Sequence, residues 1–503
     1  MRRIPVLVGT RIAVVPVPDG ATILKPPPPT AAVDDVAAAV RDALRFPLAG
    51  EPLEAVVPPG GRATVVVEPA ALPIPGARTD PRPTALGAVL EELERVGVPF
   101  ERQRILVASG LARKPSGREL EGLVAPELAR RFGGEVHVHD VEDPALVPLG
   151  SGDGAPLRVN SALVEADVVV LVTAAETVLH GGPAVLLAAA GAEAARAAAA
   201  GSLLEASTSR GWELGLALEQ ALSRRVPVIG VSLVLNLPRT TGALRGFPYE
   251  DEAVERVARS PLRRLYAVLP GAARAQVLRS LPLELTMATA FAGPPSVAHA
   301  EALLRGVEAR SSELAEPLDA LVVPIPRTTP HLPRERPNPL LAAHLGLGLA
   351  LRLWRGVFPL VEGGAVILLH RFKRHFSHPT QQPYRVFFQT RAARDAAARA
   401  DAEQAAAADQ RLLTAYREGR ACHPLLPFTD WDACVPALER LGAVLVAGCR
   451  DATAARTLGF VPVHGLPAAL EMVRGRSGPD AQIGYLLAPP YFPLRVKEST
   501  LAP

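Results

Sequence analysis

Lysine is nearly absent from this 503-residue chain. Lysine and arginine together number 54, yet the only lysines are Lys25, Lys114, Lys373 and Lys497. A reaction that needs a lysine therefore has four candidates. The bias toward Arg, Ala, Gly and Pro is what a G+C-rich genome produces. Cysteine is also scarce. Cys422, Cys434 and Cys449 are odd in number and lack CxxC spacing, which excludes a common zinc motif or a dithiol redox pair. Three reduced thiols in a cytoplasmic protein is the expectation. There is no long basic run, and the net charge is only +3, so nucleic acid is not implied. Nor is there a long unbroken apolar run. The longest apolar stretch, 339–360, contains His344, Arg352 and Arg355, which predicts a buried helix and no membrane span. The opening MRRIPVLVGTRIAVVPVPDG starts like a signal peptide, but Gly, Arg and Pro break it into two short strands.

What is present is a globular composition: 49% hydrophobic and 21% charged residues are enough for two or three domains with real cores. Strand and helix signals alternate. The runs RILVA (104–108), VEADVVVLVT (164–173), VPVIGVSLVL (226–235), LDALVVPIP, GGAVILLH and GAVLVAGC read as buried strands. Helices are predicted over 84–96, 118–132, 251–279, 340–354 and 391–418, the last Ala-rich and facing solvent; 135–139 reads as an edge strand. Such alternation predicts an α/β fold with mostly parallel sheets covered on both faces. Two α/β domains, 1–265 and 266–503, are expected, with a cleft between them where a ligand sits.

Several stretches have residues suited to chemistry. TDPRPT places Asp80 and Arg82 at a helix start, where the arginine can clamp a carboxylate or phosphate or merely sit in a capped turn. Ser109-Gly110 follows a strand, and free backbone N–H groups there suit an anion. ETVLHGGPAV presents Glu176, His180, Gly181 and Gly182 in a glycine turn that ends a strand; His180 is a candidate base. LLHRFKRHFSHP brings His370, His375 and His378 close in sequence. Three imidazoles can ligate a metal, but Arg371, Lys373 and Arg374 among them favour an anion. His137 and His139 share a strand face, and two ligands make no site. Arg327, Arg334 and Arg336 form a Pro-Arg loop that could receive an acidic ligand.

In order along the chain, Arg82-Pro83-Thr84, RILVASGLAR, VHVHDVEDPALVPLGSGDGAPLRVNSALVEADVVVLV, Gly181-Gly182, VSLVLNLPRTTGALRGFP and GFVPVHGLPAALEMVRGRSGPDAQIGYLLAPPYFPLRV resemble the nickel-dependent lactate racemase (LarA-like) family. The resemblance implies two α/β domains with the active site in their cleft. It also implies a nickel-pincer nucleotide held through a lysine, and two histidines that move the proton at C2 of a 2-hydroxy acid. The functional positions carry over unevenly. Arg82 matches the family's D-x-T-R-P arginine, while the aspartate falls on Thr79 beside Asp80. The histidine of A-T-G-x-H-R falls on Ala112. The E-P-H segment is shortened: Glu176 matches its glutamate, its histidine falls near Val178, and His180 is a displaced substitute. The anchoring lysine falls on Ala184, and no histidine lies between His180 and His299 for nickel. The second domain's asparagine- and glycine-rich loop and its lysine are replaced by PIPRTTPHLPRERPNP. Loss of both bases, the anchor and the metal ligand leaves no route to the parent mechanism.

Three readings follow. The first is a degenerate active site that binds a small anionic ligand without covalent chemistry. The second is a divergent isomerase with a noncovalent cofactor, using His180 and a histidine from 370–378. The third is a structural subunit whose cleft is filled. Self-association into a homo-oligomer is left open by the sequence.

Overall fold

The computed structural model describes residues 2–18, 20–70, 72, 79–152, 155–327, 338–376, 378–390, 392–487 and 489–497. Arg334 and Arg336 lie outside them. Two six-stranded sheets organise the chain. The first runs, edge to edge, Met287–Gly293, Val228–Leu235, Val168–Ala174, Ala63–Val67, Gln103–Val107 and Glu135–Val138. All neighbours are parallel except the antiparallel 287–293 strand. The second runs Val461–Val463, Ala443–Ala447, Leu360–Leu369, Leu318–Pro324, Ile483–Leu486 and Thr22–Leu24, all parallel. Strands 63–67 and 168–174 are buried along their whole length. That is why they read as continuous apolar runs: helices cover both faces of a parallel sheet. The Glu135–Val138 strand is the exposed edge that its polar alternation predicts.

The expected domain split at 265 does not hold. Thr22–Leu24 pairs into the second sheet, and Ile4, Val6, Val15 and Val17 share a core with its strands. Conversely, Met287–Gly293 completes the first sheet, and the helix Pro295–Arg310 packs on Val228–Leu235. Both exchanges join residues distant in sequence, which local periodicity cannot register. The halves also share one apolar cluster, in which Leu111, Val141 and Val178 join Leu340, Phe387 and Trp431.

Prolines and caps shorten several expected helices. The 251–279 helix is three, Asp251–Arg259, Leu262–Val268 and Gly271–Arg279, with Pro261 and Pro270 at the breaks. The 118–132 helix is two single turns, Gly117–Leu120 and Pro126–Ala129. The 391–418 helix divides at Asp409, which caps Gln410–Arg417; in Ala396–Ala407 only Ala406 is buried. The 340–354 helix starts as Pro339–Ala343 and widens into a π turn, His344–Leu349. Among the described residues no helix is long and apolar enough to cross a membrane.

Candidate functional site

The C-terminal ends of the 63–67, 103–107 and 168–174 strands converge on one side of the first sheet, where α/β proteins place their ligands. A cleft of about 560 Å³ opens there. The first half contributes Glu68, Ser109, Gly110, His180 and Ala184, and the second contributes His344, Arg352 and Asp430. Much of the remaining wall is alanine, including Ala108, Ala112, Ala188 and Ala195. Arg196 bridges the mouth through Glu403 (2.7 and 2.9 Å) and Asp432. Arg352 ties the halves together at the back, donating to the carbonyls of Ala200, Gly201 and Gly348.

Beside the cleft lies a smaller pocket of about 200 Å³ lined by Glu68, Asp80, Arg82, Thr173 and Glu176. Glu68, Pro69 and Ala70 line both spaces. Asp80 caps the helix Pro81–Arg95, accepting the Arg82 backbone N–H at 3.0 Å. It also takes the Arg82 side chain through Nε (3.0 Å) and Nη2 (2.7 Å). The clamp and the capped turn are thus the same object: the arginine is held by its own cap, and its Nη1 makes no hydrogen bond among the described residues. Glu176 is buried, accepts the Leu72 N–H at 3.3 Å and lies near the buried Arg310.

Glu68 is the residue that sequence reasoning missed. It directly follows the buried strand VVV, and an acid at a parallel strand's C-terminal end was the available signal. Burial, and then the charge of Glu176, push its carboxyl up to about 8, against smaller opposing effects from the Gly181 N–H and Arg82. At neutral pH it is mostly a neutral acid, a hydrogen-bond donor between the two spaces.

The glycine turn has a packing reason. Gly181 and Gly182 have φ of 91° and 51°, a region that favours glycine. A Cβ on either would collide with His299 of the Pro295–Arg310 helix. His299 is fully buried; desolvation lowers its pKa to about 4, so it is neutral. Its Nε2–H donates to the Thr177 carbonyl (3.0 Å), and its ring lies 5.8 Å from Trp212. His180 sits at the cleft wall, its Nδ1 3.0 Å from Thr177 Oγ1. Ala184 lies at the base of the turn with its methyl group where the resemblance expects a lysine.

The backbone of the Ser109-Gly110 turn is already engaged within the protein. No helix follows directly, the Gly110 N–H is used by the Ala188 carbonyl (3.1 Å), and the Gly110 carbonyl accepts the Tyr416 hydroxyl (3.1 Å). The buried Ser109 hydroxyl has no partner among the described residues.

The three candidate metal histidines are not brought together as a metal centre. His370 is buried beyond the 360–369 strand, and desolvation lowers its pKa to about 4; His375 and His378 are exposed, and His378 caps the next short helix. Arg371 and Lys373 line the same pocket as His370 and His375, and their charge opposes a cation. Among the described residues no group of three His, Cys, Asp or Glu side chains has metal-holding geometry. His139 is a core residue, its Nε2 2.9 Å from the Ala190 carbonyl. His180 lines the cleft, while His370 and His375 line a different pocket.

Residues 9–181 match the lactate racemase N-terminal domain family. In that N-terminal third the chain is similar to lactate racemases. The lactate racemase apoprotein from Thermoanaerobacterium thermosaccharolyticum aligns with 99% of this chain and 100% of its own, at 15% identity and a TM-score of 0.61. That likeness establishes the two-sheet fold along the whole length. A crystal structure of a Thermotoga maritima protein aligns with 93% of this chain and 100% of its own, at 12% identity and a TM-score of 0.49. No curated protein matches in sequence. In this lactate racemase-like chain, the matched region ends at Gly181, so the glycine turn falls at its border.

Proposed function

We propose that this chain is a lactate racemase-like binding protein that holds a small 2-hydroxy acid in its interdomain cleft without covalent nickel-pincer chemistry. The observation that carries the reading is Glu68 between the cleft and the Arg82 pocket. With Asp80 paired to Arg82, Glu176 near Arg310 and Glu68 neutral, the inner end of the cleft carries little net charge. A carboxylate can then accept from Arg82 Nη1 and from the Glu68 carboxyl, and a 2-hydroxyl can accept from Arg82 or donate to the Glu68 carbonyl oxygen. The nickel-pincer nucleotide that the resemblance implies does not fit the residues present. Ala184 has no amine for the covalent link, and its own segment is closely packed: even a Cβ at Gly215 would lie 2.9 Å from Pro183. Lys114 is committed to Asp140 at 2.9 Å. A cleft of about 560 Å³ argues against a filled, purely structural subunit, and the separation of His180 from His370 and His375 argues against a two-histidine isomerase.

Calorimetric titration of the full chain with lactate and longer 2-hydroxy acids tests this. Ala199→Trp, at an exposed position lining the cleft, and Arg82→Gln are each expected to weaken binding at least tenfold. Wild-type protein that binds none of these acids, or variants that bind them as wild type does, would overturn the reading.

A further inference from the structure

A third pocket, of about 160 Å³, lies at the C-terminal ends of the 318–324 and 360–369 strands, beneath the tip of the Arg2–Val8 and Arg11–Val17 hairpin. Its lining shares no residue with the cleft. Five cations line it, Arg11, Arg274, Arg327, Arg371 and Lys373, and among the described residues no carboxylate does. That imbalance is unusual in a chain whose charges nearly cancel, at 54 basic and 51 acidic residues. Other arginines of this protein, among them Arg45, Arg82 and Arg196, meet acids. Arg11, Arg371 and Lys373 make no side-chain hydrogen bond or ion pair among the described residues.

The pocket is built, not merely charged. Arg274 is buried and fixed by the carbonyls of Ala267 (3.2 Å) and Leu269 (2.5 Å). The hairpin tip is pinned by the Gly9 N–H to the Ile325 carbonyl (2.8 Å) and the Arg327 N–H to the Gly9 carbonyl (3.2 Å). Phe372 is fully buried with φ of 28°, the only described non-glycine residue with positive φ. Backbone strain of this kind is held only where its surroundings enforce it. Here it buries the ring against Phe460 and leaves Arg371 and Lys373 on either side exposed at the pocket. The neutral His370 accepts the Phe372 N–H at Nδ1 (3.3 Å), which leaves its proton on Nε2 as one more donor. Desolvation first, and then the charges of Arg11, Arg450 and Arg274, hold Arg371 below the ordinary guanidinium pKa. A bound anion would relieve that repulsion.

We propose that this pocket binds a phosphoryl group, either inorganic phosphate or the head of a small phosphomonoester, in contact with Arg11, Arg371 and Lys373. Guanidinium forks match tetrahedral oxyanions, and a dianion suits Arg11, Arg371 and Lys373 together better than a carboxylate does. The small volume admits the phosphoryl group and leaves any organic remainder outside.

The test is phosphorus NMR and calorimetric titration of the full chain with inorganic phosphate and, separately, with methyl phosphate, at constant ionic strength set with chloride. Saturable binding is expected. The double variant Arg371→Glu/Lys373→Glu, and independently Arg11→Ala, should weaken it, the double variant at least tenfold, with unchanged thermal midpoints. Ala199→Trp should leave it unchanged, which separates this site from the cleft. Tighter binding of methyl phosphate would identify a phosphomonoester as the ligand, and tighter binding of inorganic phosphate would identify the free ion. A wild-type response no greater than that to chloride, or equal saturation in wild type and both variants, would overturn the proposal.

Discussion

Glu68→Gln tests the electrostatics of the cleft without a ligand. The substitution keeps the shape and removes the titration. Glu68 titrates near 8 in the folded chain against an ordinary 4.5, because burial and Glu176 disfavour its charge. Below pH 4.5 the carboxyl is neutral folded and unfolded, and contributes no pH dependence. As pH rises from 4.5 to 8 the unfolded chain releases a proton that the folded chain keeps, so stability falls across that window. Complete ionisation corresponds to about 5 kcal/mol if the full difference were felt. Glu68 is partly exposed, so solvent in the open cleft screens much of this, and about 2 kcal/mol is expected. Glu68→Gln should therefore match wild type in urea unfolding at pH 4 and exceed it by about 2 kcal/mol at pH 9. The gap should open between those values. Parallel curves from pH 4 to 9 would refute the reasoning, because they would mean that Glu68 ionises as an ordinary surface acid.

Other perturbations address other parts of the fold. Gly181→Ala meets His299 and an unfavourable φ together, and should cost about 2 kcal/mol or more in urea unfolding. Arg196→Ala leaves Glu403 and Asp432 without their shared cation. It should cost about 2 kcal/mol and raise amide exchange in Ala192–Ala197 and Ala396–Ala407, the helices it joins. Co-expression with enzymes that make the nickel-pincer nucleotide should leave the intact mass unmodified; an added nucleotide mass with stoichiometric nickel would restore the covalent mechanism and remove the reading of Ala184.

The parts of this fold legible in the sequence are those whose cause is local. A strand buried on both faces writes itself as an apolar run, and RILVA, DVVVLVT and VIGVSLVL fall on strands 103–107, 168–174 and 228–235. Asp80 before two prolines announces a capped helix start, and the cap is there. What was not legible depends on partners far away in the chain. Thr22–Leu24 cannot declare that it completes a sheet with Ile483–Leu486, so the domain boundary was misplaced. Glu68 looked like an ordinary acid after a strand; its altered titration comes first from burial in the folded chain and then from Glu176, which lies more than a hundred positions away. The histidines of 370–378 are close in sequence, but the strained turn at Phe372 and the exposed loop after it separate their roles.

The glycine turn has a packing role that is independent of any ligand. If Gly181 and Gly182 served only to admit a covalently held cofactor, an alanine at position 184 would leave them without a purpose. They are held by a second requirement: the imidazole of His299 fills the space where their side chains would project, and the Gly182 N–H is bound by Thr173 Oγ1 at 3.1 Å. The turn in turn directs the Gly181 N–H at Glu68. A substitution at either glycine would therefore disturb the packing of the Pro295–Arg310 helix on the first sheet before it touched any ligand. Ala184 has no such double duty, since its side chain is a single methyl group that the turn's backbone does not depend on. The glycines of the turn report on packing, and residue 184 reports on chemistry, so the two must be read separately. On this reasoning Gly181→Ala lowers stability, and the Glu68 carboxyl, deprived of a well-placed N–H, titrates still higher. A Gly181→Ala protein with wild-type stability would show that the turn was kept for a ligand after all.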